Sequence, residues 1–287
     1  MLFPFLNGED LNSRPDCSPS RWVIDFNDRT EADAARYEVP FLRALERVKP
    51  ERMANNRAVR RERWWQYGEN APGLRRAIAD LAEVLVIALV SKTVMPMRVP
   101  TGQVFSHALG VFASDSYSVQ AVLSSNLHQL WAITYGSTLE TRVRYTPSDV
   151  FETFPLPPAS DRLDSAGRSL DAERRRIMLR RDLGLTKLYN LVNDPAIDGD
   201  EDVDRLREIH VEIDCAATAA YGWDDIPLSH GFHSFRQMQR WSIDPSTRVE
   251  ILDRLLIENH SRSMNDQGNR RLETQDRPPT EEGTLFE

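Results

Sequence analysis

Hydrophobic and polar positions follow two different patterns along the chain. Between residues 84 and 112, apolar runs of up to seven residues are separated by Gly and Pro, which predicts several short strands. A strand-like stretch at Arg21–Phe26 (RWVIDF) predicts another strand before them. Residues 139–146 (LETRVRYT) alternate between polar and apolar positions and predict a further strand.

Elsewhere the apolar residues recur at helical spacing. The helices predicted from this spacing, in order, are about 30–48 with an interruption at Pro40, 56–67, one starting at Pro72, 118–135, 168–182, 185–193, 201–221 and 245–262. The proline-rich Phe154–Pro158 predicts a linker, and apolar residues almost disappear after Ser263. We therefore expect an α+β chain. It comprises a mixed α/β domain over 1–158, a small all-α helical domain over 159–262 and a disordered tail over 263–287.

Charge is spread unevenly over these parts. The net charge of −8 divides into +1 for residues 1–150, from 18 basic and 17 acidic residues, and −9 for residues 151–287, from 18 basic and 27 acidic residues. Residues 36–76 hold 11 basic and 5 acidic residues, a local net charge of +6. Nearly all basic residues are Arg, whose planar guanidinium suits phosphates and guanine edges better than the ammonium of Lys does. The first half is therefore the part expected to meet an anionic partner.

Composition also excludes several classes of protein. No apolar run approaches the roughly 20 residues of a membrane helix, and the first 20 residues lack the basic start and apolar core of a signal peptide. Two cysteines, Cys17 and Cys215, are too few for a disulfide framework or a four-cysteine zinc site. We expect a cytoplasmic protein without membrane association.

The motifs of common catalytic and cofactor sites are missing. The chain has no G-x-G, no Walker-type phosphate loop, no G-x-S-x-G and no Asn/Asp/Ser-Pro-Pro-aromatic tetrad of amino-methyltransferases. None of the three lysines follows an acidic residue at the spacing that common metal nucleases use. For His210, His230 and His233 a structural role is favoured over metal binding, because no partner ligand lies at a fixed spacing. We therefore predict no catalytic, cofactor-binding or metal-binding residue in this chain.

Two clusters of charged residues are candidates for binding DNA. The first cluster is basic and consists of Arg52, Arg57, Arg60, Arg61 and Arg63. It is followed in sequence by Trp64, Trp65 and Tyr67. These arginines are suited to phosphate contacts, which give affinity without sequence preference. The alternative is a solvated helix face next to tryptophans of the core.

The second cluster is Glu140, Arg142 and Arg144, which share one face if the segment is a strand. Glu can accept a hydrogen bond from cytosine N4, and Arg can donate to guanine O6 and N7. Two opposite charges two residues apart are thus able to recognise one base pair in the major groove. The alternative is a strand whose charges form ordinary surface ion pairs, which contribute little.

Several short motifs resemble one known family. They are Pro4–Leu11 (PFLNGEDL), Ser20–Phe26 (SRWVIDF), Val48–Arg52 (VKPER), Trp64–Glu69 (WWQYGE), Tyr145–Pro147 (YTP) with Phe151–Pro155 (FETFP), Gly184–Asn190 (GLTKLYN), and Tyr221–Trp223 (YGW) with His230–Phe232 (HGF). Over residues 3–262 the chain resembles the C-terminal half of MmeI-like enzymes. These are single-chain (type IIG) DNA adenine methyltransferases of type II restriction–modification and related phage-defence systems.

The resemblance implies a function as well as a fold. It makes residues 1–158 a DNA target recognition domain and 159–262 the C-terminal helical domain, with Glu140 and Arg142 at the family's specificity-setting acidic/basic pair. It implies double-stranded DNA as one partner and a methyltransferase domain or subunit encoded upstream as the other. S-adenosylmethionine is expected in that missing methyltransferase domain. A split gene, a truncated remnant and a fragment are all open, as are a non-catalytic DNA-binding remnant and a structural protein-interaction module.

Overall fold

A computed structural model describes residues 1–68, 70–139, 142–235 and 238–275. The strands are β1 (Leu2–Leu6), β2 (Arg21–Ile24), β3 (Glu83–Ala88), β4 (Val90–Ser91), β5 (Met97–Pro100), β6 (Val104–Phe105), β7 (Leu109–Phe112), β8 (Ser137–Leu139), β9 (Arg142–Arg144), β10 (His230–Phe235) and β11 (Met238–Ile243). The helices before residue 159 are α1 (Gly8–Ser13), α2 (Glu31–Ala35), α3 (Glu38–Arg47), α4 (Lys49–Met53), α5 (Ala58–Glu62), α6 (Pro72–Ala77), α7 (Tyr117–Ser124), α8 (Asn126–Tyr135) and α9 (Pro147–Val150). Those after it are α10 (Asp161–Arg181), α11 (Leu185–Val192), α12 (Glu201–Ala220) and α13 (Pro245–Gln275).

The strands form small sheets. β1 pairs antiparallel with β2 and parallel with β6, while β3 lies between the antiparallel strands β5 and β7. A third sheet has the order β4-β9-β8, and β10 pairs with β11 as a hairpin. The central strand β3 is apolar at every position after Glu83 and is buried from Val84 to Ala88. Such a run is typical of a strand that is covered on both faces.

Two hydrophobic cores stabilise the fold. The larger core is one continuous cluster in space, to which β3 and the helices α7, α8, α10, α11 and α12 contribute. Its members come from positions between Leu6 and Leu255. The smaller core is formed by Phe26, Ala34, Ala44 and Trp64. We call residues 21–68, which surround this second core, the small lobe.

The predicted fold class is confirmed, since mixed α/β structure precedes a mainly helical region. The predicted strands at 21–26 and 84–112 and the long helices at 168–182, 185–193 and 201–221 match observed elements. Three helix predictions need correction. The stretch 118–135 is two helices, because the Ser125 side chain accepts from the backbone N–H of His128 and starts α8.

The other two corrections lie in the small lobe. The predicted helix over 30–48 is α2 and α3, with Pro40 in the first turn of α3, where proline is tolerated. The predicted helix over 56–67 is limited to α5, because Trp64 turns into the second core. The hairpin β10–β11 in the helical region had no sequence prediction.

The two predicted domains share the larger core. Side chains of α10 also donate to the β-sheet region: Arg174 donates to the Pro96 carbonyl at 2.7 Å, and Arg175 donates to the Arg98 carbonyl at 2.8 Å. Gln120 donates to the buried carboxylate of Asp171. The division at residue 158 remains a prediction about domains, while the packing across it is continuous.

The C-terminal helix α13 continues to Gln275, past the end at about 262 that the sequence pattern predicts. Residues 276–287 of the predicted tail lie outside the described ranges, and the prediction of disorder stays a prediction. No helix within the described ranges is long and apolar enough to cross a membrane.

Candidate nucleic-acid interface

The small lobe is rich in arginines that have no carboxylate partner. Within the part of the chain that the structure describes, no ion pair involves Arg43, Arg47, Arg52, Arg57, Arg60, Arg61 or Arg63. In the helical region, by contrast, ion pairs neutralise Arg162, Arg168, Arg175, Arg176, Arg180, Arg181, Arg205, Arg207, Arg254 and Arg262. Positive charge is therefore left uncompensated in the small lobe, where an anionic partner would be bound.

A wide cleft of about 1030 Å³ receives part of this charge. Arginines from three segments line it: Arg29, Arg60, Arg63, Arg75 and Arg76. We call it the arginine cleft. Arg75 is held there by the buried carboxylate of Asp25 at 2.5 Å and by the Asn70 carbonyl at 2.9 Å. Sequence analysis missed Arg29, Arg75 and Arg76, although the last two lie inside the basic stretch 36–76.

The five arginines predicted to bind the DNA backbone are not all in this cleft. Arg60 and Arg63 line it, and Arg57 is exposed at the start of α5. Arg61 donates to the Asn55 carbonyl at 2.7 Å, which holds the turn before α5. Arg52 lines a different hollow on the other side of Trp65.

The segment Trp65–Tyr67 separates these two hollows, and each hollow is lined by all three of its residues. Trp65 Nε1 and Gln66 Nε2 both donate to the Arg29 carbonyl, at 2.9 and 2.8 Å. Trp64 is buried, with the ammonium of Lys49 4.7 Å above its ring. The tryptophan pair thus fixes the backbone of the lobe, and the arginines project from a rigid support.

Arg142 and Arg144 of the second predicted cluster lie on β9, which pairs with β8, and this corrects the prediction of one strand over 139–146. β8 and β9 pair antiparallel, with Leu139 opposite Arg142 and Ser137 opposite Arg144. Arg142 and Arg144 are exposed on the same face of β9, and Val143 between them is buried. Glu140 lies outside the described residues, in sequence between the two strands, so its proposed pairing with Arg142 stays a prediction.

Arg144 lines a cleft of about 590 Å³ between the hairpin and α1. The opposite wall includes Glu9, Asn12 and Ser13, and His107 lies at one side. None of these residues was predicted from the sequence, because they come from segments far from the hairpin; Glu9 lies in the Pro4–Leu11 motif, which indicated the family but no contact with the hairpin. The hairpin therefore shares this cleft with polar groups from two other segments.

Two of the three histidines considered from the sequence, His210 and His230, belong to buried hydrogen-bond networks. His230 Nε2 lies 2.8 Å from Asp214, which also accepts from the backbone and side chain of Asn126. His210 Nε2 lies 2.8 Å from the Tyr189 hydroxyl, and burial lowers the pKa of His210 to about 4. Among the described residues, no group of three His, Cys, Asp or Glu side chains is arranged to hold a metal ion.

Comparisons with known proteins agree on one relationship. Residues 5–158 match the family model of the MmeI target recognition domain. The chain is similar to the solved structure of the type IIL restriction–modification enzyme MmeI in complex with DNA, with 17% sequence identity and a TM-score of 0.62. That match covers 92% of this chain and 31% of the other, so this chain spans about a third of its length. At this identity the likeness shows the fold alone. No curated protein sequence matches the chain.

Proposed function

The chain belongs to the MmeI target recognition domain family, and from this premise we propose that it recognises a DNA sequence for a restriction–modification enzyme. The observation that supports this function best is that seven arginines of the small lobe make no ion pair within the described ranges. Phosphate contacts from such side chains supply affinity and orientation on a duplex.

Sequence preference requires contacts to base edges, and we propose the β8–β9 hairpin for them. Arg142 and Arg144 point from the same exposed face of β9, and a two-stranded ribbon fits the major groove of B-DNA. Guanidinium groups donate two hydrogen bonds to guanine O6 and N7, and a carboxylate at Glu140 is suited to cytosine N4. The arginine cleft and the exposed Arg57 beside it would then hold the backbone beside the base pairs being recognised.

The modified base and the chemistry lie outside this chain in our proposal. The chain has no glycine-rich loop and no Asn-Pro-Pro-aromatic tetrad, so its residues do not fit S-adenosylmethionine or a target amine. We assign both to a methyltransferase domain or subunit that uses this chain to select its sites for N6-adenine methylation. Such a system serves defence against phage DNA in the cytoplasm.

A salt titration of the chain with duplex DNA tests the proposed function. Each phosphate contact lowers the slope of log binding constant against log salt by about 0.9, so Arg57, Arg60 and Arg63 alone contribute about −2.7 to the slope. Fluorescence anisotropy with a labelled duplex measures this slope directly. A chain that binds no duplex even at low salt would instead be a structural interaction module.

Reversing the charges on the hairpin tests base recognition. If Glu140 accepts from a cytosine and Arg142 donates to its paired guanine, Glu140→Lys with Arg142→Asp should change the preference from C·G to G·C at one position. The change at that position should amount to about 1–3 kcal/mol, the discrimination that one good bidentate contact contributes. The preferences at the other positions of the site should be unchanged. Each single substitution should relax that position, because one base edge is left unpaired.

The measurement joins the chain to a matching methyltransferase and sequences the modified sites. Thr138→Lys with Leu139→Asp, on the neighbouring strand of the same hairpin, is the control and should keep the original preference. If the Glu140 and Arg142 double variant modifies the original sites with full fidelity, these two side chains do not contact the bases.

A further inference from the structure

A second hollow in the small lobe has a different character from the arginine cleft. Its volume is about 370 Å³, and aromatic residues, aliphatic residues and three arginines line it together. The residues that define it here are Trp22, Arg43, Arg47, Arg52, Trp65 and Tyr67. We call it the aromatic groove.

The floor of this groove presents an exposed tryptophan. Trp22 lies on β2 opposite Pro4 of β1, and 67% of its surface is exposed. Large aromatic residues are seldom left so open without a partner, since burying one removes a large apolar area from water. Leu2, on the neighbouring strand, is 60% exposed and extends the same apolar surface.

One wall adds positive charge without compensation. Arg43 and Arg47 are one helical turn apart on α3, so they lie on the same face of that helix. Arg52 follows on α4. Within the described ranges none of these three arginines forms an ion pair, so the groove combines flat apolar faces with unneutralised guanidinium groups.

Two hydrogen-bond donors of the remaining wall are already used. Trp65 Nε1 and Gln66 Nε2 both donate to the Arg29 carbonyl, so they are not available to a ligand in the groove. The groove thus offers stacking and charge but few groups able to distinguish one base edge from another. An occupant would be held with little regard to its sequence.

From these features we infer that the aromatic groove binds single-stranded DNA, stacking an unpaired base on Trp22 and holding the adjacent phosphates with Arg43, Arg47 and Arg52. In a duplex the faces of the bases are covered by their neighbours, so only an unpaired base can stack on an indole. Aromatic faces interleaved with basic side chains are the usual chemistry of single-strand binding. This activity goes beyond recognition of a duplex site and uses a different surface.

Titration of the full chain with a short labelled oligo(dT) tests the inference. We expect binding that weakens about tenfold in Trp22→Ala, because stacking on an aromatic residue contributes on that order, and that stays within about threefold in Trp22→Phe. Arg43→Ala with Arg47→Ala should flatten the salt dependence by about 1.4 units, at about 0.7 per contact on a single strand. Trp22 is exposed, so its substitution leaves the core packing intact.

Two controls separate this site from the duplex site. Tyr37→Ala removes another exposed aromatic residue of the lobe, outside the groove, and should leave oligo(dT) binding unchanged. Arg60→Ala with Arg63→Ala, in the arginine cleft, should weaken duplex binding and keep oligo(dT) affinity within about threefold. Trp22→Ala should leave duplex affinity unchanged.

The inference is overturned if oligo(dT) does not bind, if Trp22→Ala binds it as well as the parent chain does, or if the arginine-cleft variant abolishes its binding. A groove that a protein partner covers would give the first of these results. Duplex binding is measured on the same samples, so failure of the groove and failure of the proposed function are recognised separately.

Discussion

A chain in which Arg57, Arg60 and Arg63 are replaced by Ala should bind every duplex about 500-fold more weakly than the parent chain at about 0.1 M salt. Three lost phosphate contacts reduce the slope of log binding constant against log salt by about 2.7. With equal binding of the two chains at about 1 M salt as the reference, a tenfold lower salt concentration gives a difference in log binding constant of about 2.7, which is about 500-fold. The loss should be the same for all DNA sequences, because phosphates are common to all of them.

The structure decides which arginines to change. None of the three forms an ion pair within the described ranges, and two of them line the arginine cleft. Arg57 makes no side-chain hydrogen bond to the start of α5, so its loss costs the helix no cap. Arg61 is left in place because it holds the Asn55 carbonyl.

A matched variant controls for total charge. Replacing Arg162, Arg168 and Arg205 by Ala removes the same three charges from the helical region, where each is paired with a carboxylate. We expect its duplex affinity to stay within about threefold of the parent value, because these charges are already neutralised locally. Equal losses in the two variants would mean that net charge alone governs binding, and a loss limited to one DNA sequence would contradict phosphate contact.

Acidification should destabilise the fold by about 4 kcal/mol between pH 7 and about pH 5 through two buried histidines. Burial lowers the pKa of both His128 and His210 from 6.5 to about 4. Because the unfolded chain takes up these protons first, stability is complete above pH 6.5 and is lost as the pH falls from 6.5 towards 4. Each histidine contributes about 2 kcal/mol to the loss at about pH 5.

The environments of the two rings explain the shifts. His128 Nδ1 lies 2.8 Å from the Leu123 carbonyl and its Nε2 lies 3.0 Å from the Tyr145 hydroxyl, with no charged group in either contact. Around His210, Asp214 favours the charged ring, whereas Arg174 and His230 oppose it. Burial outweighs these influences, so both rings are neutral in the folded protein at neutral pH.

Urea unfolding at the two pH values measures the effect. His210→Gln keeps a polar side chain for the Tyr189 hydroxyl but cannot titrate, and should reduce the pH-dependent loss to about 2 kcal/mol. His260→Gln, on the exposed surface of α13, should leave the loss at its parent value. A His210→Gln chain with the full pH dependence would show that this ring is not the titrating group.

The sequence predicted the parts of this structure that depend on local pattern. β3 is a continuous apolar run, and α12 has an amphipathic stripe with Asp200 as its cap, so both elements are apparent before any tertiary contact is considered. Ser125 shows the limit of pattern. Helical spacing continues through it, and only its side-chain bond to the next turn divides α7 from α8.

The candidate interface depends more on tertiary contacts. The basic stretch predicted Arg60 and Arg63, but Arg29 meets them only because Trp65 and Gln66 bind its carbonyl. The strand pattern does not indicate that Trp22 is exposed, because its exposure depends on how the small lobe folds. Asn12 and Arg144 face one cleft although the whole first half of the chain separates them in sequence.

The unbroken core beneath the proposed recognition surface has a consequence for how new specificities would arise. Exchange of a complete gene segment ending near residue 158 would part Arg174 from the Pro96 carbonyl and open the core between β3 and α10. Arg142 and Arg144 are exposed, and only Val143 between them is anchored in the core, so they can vary without disturbing the packing. Descendants of this chain should therefore diversify by single codon changes in the hairpin, and recombination should succeed only when the helical region travels with it.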